Sequence, residues 1–176
     1  MGVSNLYSLP YLGMKDGFHE YHFKVESQFF MDFENSPIQK GDFDINLSVD
    51  KSGNISKFDF YITGFFEAIC DRCLAEIRIP VSGNFKMHGK MGNEDEADDD
   101  VIYINPDQSN IDMSFYFYEM ICLTLPLINV YDCNNEVPRV CDDTVLSKLS
   151  IDKKSPNVKT DNKNVWDSLQ GLLSDN

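Results

Sequence analysis

Residues 41–62 read GDFDINLSVDKSGNISKFDFYI, and the fold turns on this stretch. Phe43, Ile45, Leu47 and Val49 alternate with Asp44, Asn46, Ser48 and Asp50. After Lys51-Ser52-Gly53-Asn54 the alternation resumes at Phe58, Phe60 and Ile62. A period of two sends the apolar set to one face of a strand and the polar set to the other. Two such runs around a glycine-bearing turn predict a β-hairpin.

Upstream of the hairpin, Tyr21, Phe23 and Val25 alternate with polar residues and predict another strand. Phe29, Phe30 and Phe33 then fit a short helix or an aromatic plug packed into the core. The opening segment to about Gly17 reads as irregular, broken by Pro10 and Gly13. Downstream, Gly64 predicts a bulge, with the apolar face shifting to Phe65 and Phe66. Ile77, Ile79 and Val81 make the next strand, which breaks at Gly83 before Phe85 and Met87. A short strand follows over 101–104.

The clearest helix comes next. Asp112 is placed to accept its first free amides, with Ile111 and Tyr116 as a hydrophobic staple. Phe117, Met120, Ile121 and Thr124 share one face, and Pro126 ends the helix. The fold class is therefore α+β: a curved antiparallel sheet or partly open barrel with one main helix and a short C-terminal helix. Residues 1–150 form a single domain in this reading, 151–164 a polar linker, and 165–174 an amphipathic helix. Val165, Trp166, Leu169, Leu172 and Leu173 supply that helix's apolar face.

The chain has 176 residues and a formal net charge of -14. Nucleic-acid binders draw affinity from lysine and arginine set against phosphates, and no basic stripe is present. Direct, unaided RNA contact is disfavoured; a basic protein partner suits the charge. Six carboxylates between Glu94 and Asp100 read as a solvated loop, without the glycine and ligand alternation of a calcium loop. An acidic mimic of nucleic-acid phosphates is a further reading. The start lacks the marks of a secretory signal, and no run approaches the roughly 18 apolar residues of a membrane span. The expected location is the cytoplasm, with thiols kept reduced.

Chemistry concentrates at Cys70-Asp71-Arg72-Cys73, set between two strand-like runs. Two thiols separated by two residues can grip one metal ion or close a small disulfide, and reduced thiols favour metal. Cys133 and Cys141 are the candidate completing ligands, although seven intervening residues exceed the usual spacing of a zinc knuckle. One structural zinc on Cys70, Cys73, Cys133 and Cys141 is the cofactor this reading admits; free reduced thiols at a tight turn are the alternative. A redox role for Cys70 and Cys73 suffers from flanking strands and from Asp71, which works against a lowered thiol pKa. Cys122 reads as a small buried hydrophobe. His19, His22 and His88 neighbour no nucleophile motif, so no catalytic residue is assigned.

These residues, in this order, resemble the YceD family of large ribosomal RNA subunit accumulation proteins, in its Bacteroidetes-type branch. The resemblance rests on Gly41-Asp42-Phe43, Gly64 and Cys70-Asp71-Arg72-Cys73-Leu74. It continues through Ile111-Asp112, Glu119, Leu123-Thr124-Leu125-Pro126-Leu127, Cys141 and the segment from Trp166 to Leu173. Tyr131 stands where many relatives carry a histidine, and Asn164-Val165 replaces their Pro-Arg before the tryptophan. The resemblance implies a non-enzymatic role in accumulation or processing of large-subunit (23S) ribosomal RNA. It also implies a basic large-subunit ribosomal protein or pre-ribosomal particle as partner, with Arg72 and Trp166 as candidate contacts. No small-molecule substrate or membrane is implied.

Overall fold

The hairpin expected from residues 41–62 forms, and it is the centre of a larger sheet. In the computed structural model, which describes residues 6–92, 100–130 and 139–151, the chain divides into two compact units, Met1–Cys141 and Asp142–Asn176. The first unit contains strands β1 (Ser8–Leu9), β2 (Gly17–Val25), β3 (Gly41–Ser52), β4 (Ile55–Ile69), β5 (Glu76–Met91), β6 (Val101–Ile104) and β7 (Ile111–Asp112). Helices α1 (Ser27–Phe30) and α2 (Ser114–Leu123) complete it.

Five strands form one sheet in the order β2-β3-β4-β5-β6, and β1 pairs with β7 in a separate two-stranded ladder. The large sheet is antiparallel except at its edge, where β6 runs parallel to β5. It is an open mixed sheet, not a closed barrel, and the fold is α+β. The β3–β4 turn is tight: Ser52 pairs with Ile55 across Gly53 and Asn54. Gly53 takes φ of +59°, the positive value that primed hairpin turns need at this place.

One face is dry. Phe43, Ile45, Leu47 and Val49 of β3 and Phe58, Phe60, Ile62 and Phe66 of β4 are all buried. The cover comes from α1, α2 and the opening segment. Phe117 of α2 lies 4.9 Å from Phe23 and 6.3 Å from Phe60, ring centre to ring centre. Phe30 sits 5.6 Å from Phe43, and Tyr11 lies 6.2 Å from Phe58. The opening segment is therefore part of the core rather than loose: Leu9 and Tyr11 are buried. Tyr11 and Ser56 share a buried hydroxyl–hydroxyl hydrogen bond, and the Lys51 ammonium donates to the carbonyls of Tyr11 and Met14.

Two glycines differ from expectation. At Gly64 there is no bulge; the register runs unbroken from Asp42↔Phe65 through Phe43↔Gly64 to Asp44↔Thr63. The apolar face does not shift, because Phe66 keeps the buried parity of Phe58, Phe60 and Ile62. Glycine is needed because a Cβ would strike the Asp42 carbonyl and come within 2.7 Å of the Phe43 ring. Gly83 does not break β5 either. A Cβ there would come within 2.7 Å of Thr124 Cγ2, so the glycine lets the end of α2 approach the sheet.

Helix α2 starts one residue later than the sequence suggests. Met113 is its cap, while Asp112 closes β7 and its carboxylate accepts the Ser114 N–H at 2.9 Å. In the second unit, α3 (Asp143–Ile151) follows Asp142, whose carboxylate accepts the N–H groups of Thr144 and Val145. The Thr144 side chain first, and then these two amides, hold the Asp142 carboxyl below its ordinary value. The polar linker and C-terminal helix, Ile151 apart, lie outside the described residues, as does most of the acidic run before Val101.

Two substitutions check this packing. Gly64→Ala should cost about 1–3 kcal/mol, read as a lowered urea midpoint, because backbone rather than a flexible tip blocks the new methyl. Tyr11→Phe leaves the buried Ser56 hydroxyl unpaired and should cost about 1–3 kcal/mol. In a Tyr11→Phe/Ser56→Ala double variant the two losses should sum to more than the measured total.

Candidate functional site

Cys70 and Cys73 occupy the connection between β4 and β5, with a strand on each side. The connection is short because the strands pair to their ends, Ile69 opposite Glu76. Its backbone closes on itself. The Cys70 N–H donates to the Ala75 carbonyl at 2.8 Å, and the Leu74 N–H donates to the Cys70 carbonyl at 2.9 Å. Closure forces Leu74 to φ of +60°, a left-handed conformation that leucine rarely adopts. Both thiols are free and buried, turned beneath the corner, while Asp71, Arg72 and Leu74 face outward.

A second segment is clasped to this corner. The Asp71 N–H donates to the Asn129 carbonyl at 2.9 Å, and the Asn129 N–H donates to Asp71 Oδ2 at 2.7 Å. The loop that leaves α2 is thereby fixed beside the cysteines. Arg72 Nη2 reaches Cys141 Sγ at 3.7 Å, which places Cys141 at the same end of the unit.

Electrostatics at Cys70 reverse the sequence expectation. Burial pushes this thiol up, but the Cys73 and Arg72 backbone amides, the Cys73 side chain and the Arg72 charge together bring it below its ordinary value. The Asp71 carboxylate accepts the Asn129 N–H on the outer side of the corner. Cys122 behaves oppositely: burial pushes it up, and it is only half-buried on α2.

Of the expected ligands, the structure brings Cys70 and Cys73 together and draws Cys141 to Arg72. Cys141 is disulfide-bonded rather than a free thiol. Cys133 and Trp166 lie outside the described residues. Among the described residues no three ligand-type side chains form a group able to hold a metal. The two-thiol knuckle suits one soft ion by its donors; a complete ligand set needs the second cysteine segment. The histidines stay apart from the corner: His22 contacts Asp44 at 3.3 Å, and His19 bonds the Lys15 carbonyl.

An open cleft of about 520 Å³ lies at the same end of the sheet. Lys40, Phe66, Glu67, Ile77, Arg78 and Asn129 are among the residues that line it. Glu67 holds both cations, at 3.3 Å from Lys40 and 3.9 Å from Arg78, and the Arg78 guanidinium also stacks on Phe65. Sequence reasoning missed this cleft and the Asp71–Asn129 clasp. Neither leaves a local pattern, since each joins residues far apart in the chain.

With this geometry in view, the match to known families is decisive. The family model of the large ribosomal RNA subunit accumulation protein YceD matches residues 58–173. This chain belongs to the YceD family. The match begins in β4 and takes in the cysteine corner, the clasp and α2; β1, β2 and β3 lie before it. YceD membership connects the chain with accumulation of large-subunit ribosomal RNA. Comparison with curated proteins and with solved structures finds no match. No described helix is long and apolar enough to cross a membrane.

The strained corner carries its own check. A left-handed non-glycine residue costs roughly 1–2 kcal/mol, so Leu74→Gly should raise the thermal midpoint and Leu74→Val should lower it.

Proposed function

We propose that this chain is a non-enzymatic ribosome-biogenesis factor. It supports accumulation or processing of large-subunit (23S) ribosomal RNA by binding a basic ribosomal protein or a pre-ribosomal particle in the cytoplasm. The observation that carries this reading is the family match over residues 58–173, which spans the whole cysteine corner. The net charge of -14 supports a cationic protein partner over direct contact with RNA phosphates.

In this reading the corner is structural. Cys70 and Cys73 hold one zinc ion together with Cys133 and Cys141, once the Cys141 sulfur is reduced. The lowered Cys70 thiol favours ligation, because the thiolate is the binding form. Arg72 and Trp166 are further partner contacts in this proposal. The same lowered thiol is the one observation that favours a redox role. Against it stands the setting between two strands, without a helix N-terminus to stabilise a reactive thiolate.

A deletion strain tests the role: the large-subunit peak in ribosome profiles should fall while the small-subunit peak persists. An unchanged profile contradicts the proposal. Native mass spectrometry of reduced protein should show one zinc per chain, lost in Cys70→Ser. A zinc-free wild type, or disulfide turnover that depends on Cys70, would count for the redox alternative.

A further inference from the structure

Between Cys70 and Cys73 stand Asp71 and Arg72, and each holds a residue from beyond α2. Asp71 takes both backbone groups of Asn129: its N–H donates to the Asn129 carbonyl at 2.9 Å, and its Oδ2 accepts the Asn129 N–H at 2.7 Å. Arg72 Nη2 donates to Cys141 Sγ at 3.7 Å. In the sequence, Asn129 and Cys141 bracket Cys133, the remaining ligand of the zinc reading above. Seven residues part Cys133 from Cys141, too many for a second knuckle to present them as a preset pair. Their approach to the first pair has to be set from elsewhere, and the two middle residues of the knuckle are where the chain is held.

The hold shortens the search for the ion's remaining ligands. Helix α2 ends at Leu123, ten residues before Cys133, whereas Asn129 is only four residues before it. Four residues reach at most about 14 Å, so fixing Asn129 bounds how far the next ligand can stray. Closure cost follows the three-halves power of loop length, and four residues in place of ten are worth roughly fourfold in affinity. Hydrogen bonds that orient ligands from outside the coordination sphere are worth about 10–100-fold. The Asp71 side chain faces outward while both thiols turn beneath the corner, so its carboxylate acts through the loop and is not itself a ligand.

We infer that Asp71 is a positioning residue for the metal: its carboxylate fixes Asn129, and through it the approach of Cys133, while Arg72 fixes Cys141. The inference rests on the zinc site proposed above and adds the residues that set its affinity.

The test uses the full chain, reduced with a phosphine, and cobalt(II) alone as probe. Thiolates in tetrahedral array give cobalt(II) intense visible bands and a sulfur-to-metal charge-transfer band, so geometry and affinity are read apart from any activity. Wild type should bind one cobalt(II) with that spectrum. Asp71→Ala should reach the same spectrum at saturation, with affinity about tenfold weaker. Asp71→Asn keeps an oxygen that accepts the Asn129 N–H and should recover most of the loss. Arg72→Ala should weaken affinity on the same scale as Asp71→Ala. Equal affinity in Asp71→Ala and wild type overturns the inference. So does an equal loss in Asp71→Ala and Asp71→Asn, which assigns the effect to charge and not to the clasp. A reduced wild type that binds no cobalt(II) removes the zinc site itself; a wild type that binds, beside an unaffected Asp71→Ala, removes only the positioning role.

Discussion

Phe117 is where the layers of the first unit meet. Its ring lies 4.9 Å from Phe23 of β2, 6.3 Å from Phe60 of β4 and 5.9 Å from Tyr7 in the opening segment. A sheet with one apolar face has to be covered on that face, and the cover here is short: a ten-residue helix, one helical turn and a strap of chain. Seating α2 on the sheet through Phe117 demands space at its far end, which Gly83 supplies by admitting Thr124. The same seating carries the chain past Pro126 to Asn129, where it meets Asp71. Core packing thus determines which loop stands beside the cysteines.

The corner is held by backbone bonds as much as by its thiols. Cys70 to Ala75, Leu74 to Cys70 and the reciprocal Asp71–Asn129 pair lock two connections together. An ion on the thiols would reinforce a conformation already strained at Leu74. Lowering of the Cys70 thiol follows from the same closure, since the tight turn aims amides and Arg72 at the sulfur. The closed turn and the lowered thiol therefore have one cause.

Period-two patterning made β2, β3 and β4 legible, and the apolar face of α2 was equally plain. What stayed hidden was long-range. Gly64 and Gly83 read locally as a bulge and a break, yet each is a glycine because of a neighbour distant in sequence. Leu9 and Tyr11 sat in a segment without periodicity, and only the sheet they cover makes them core. Parallel pairing of β6 leaves no mark in four residues. At the site, the spacing of Cys70 and Cys73 was readable and their setting between strands was correct. The role of Asp71 was not, because its carboxylate answers to Asn129 rather than to the adjacent thiol.

YceD membership ties the chain to accumulation of large-subunit ribosomal RNA, and the role proposed above has it recognise a protein partner at the cysteine corner through Arg72. In that proposal recognition happens at this end of the sheet. Amide hydrogen exchange on the full chain, with and without large-subunit proteins, tests it most directly. Slowed exchange over 69–78 and 123–130, with β2 and β3 unchanged, is the predicted result. Protection confined to the open face of the sheet, or none at the corner, would contradict it.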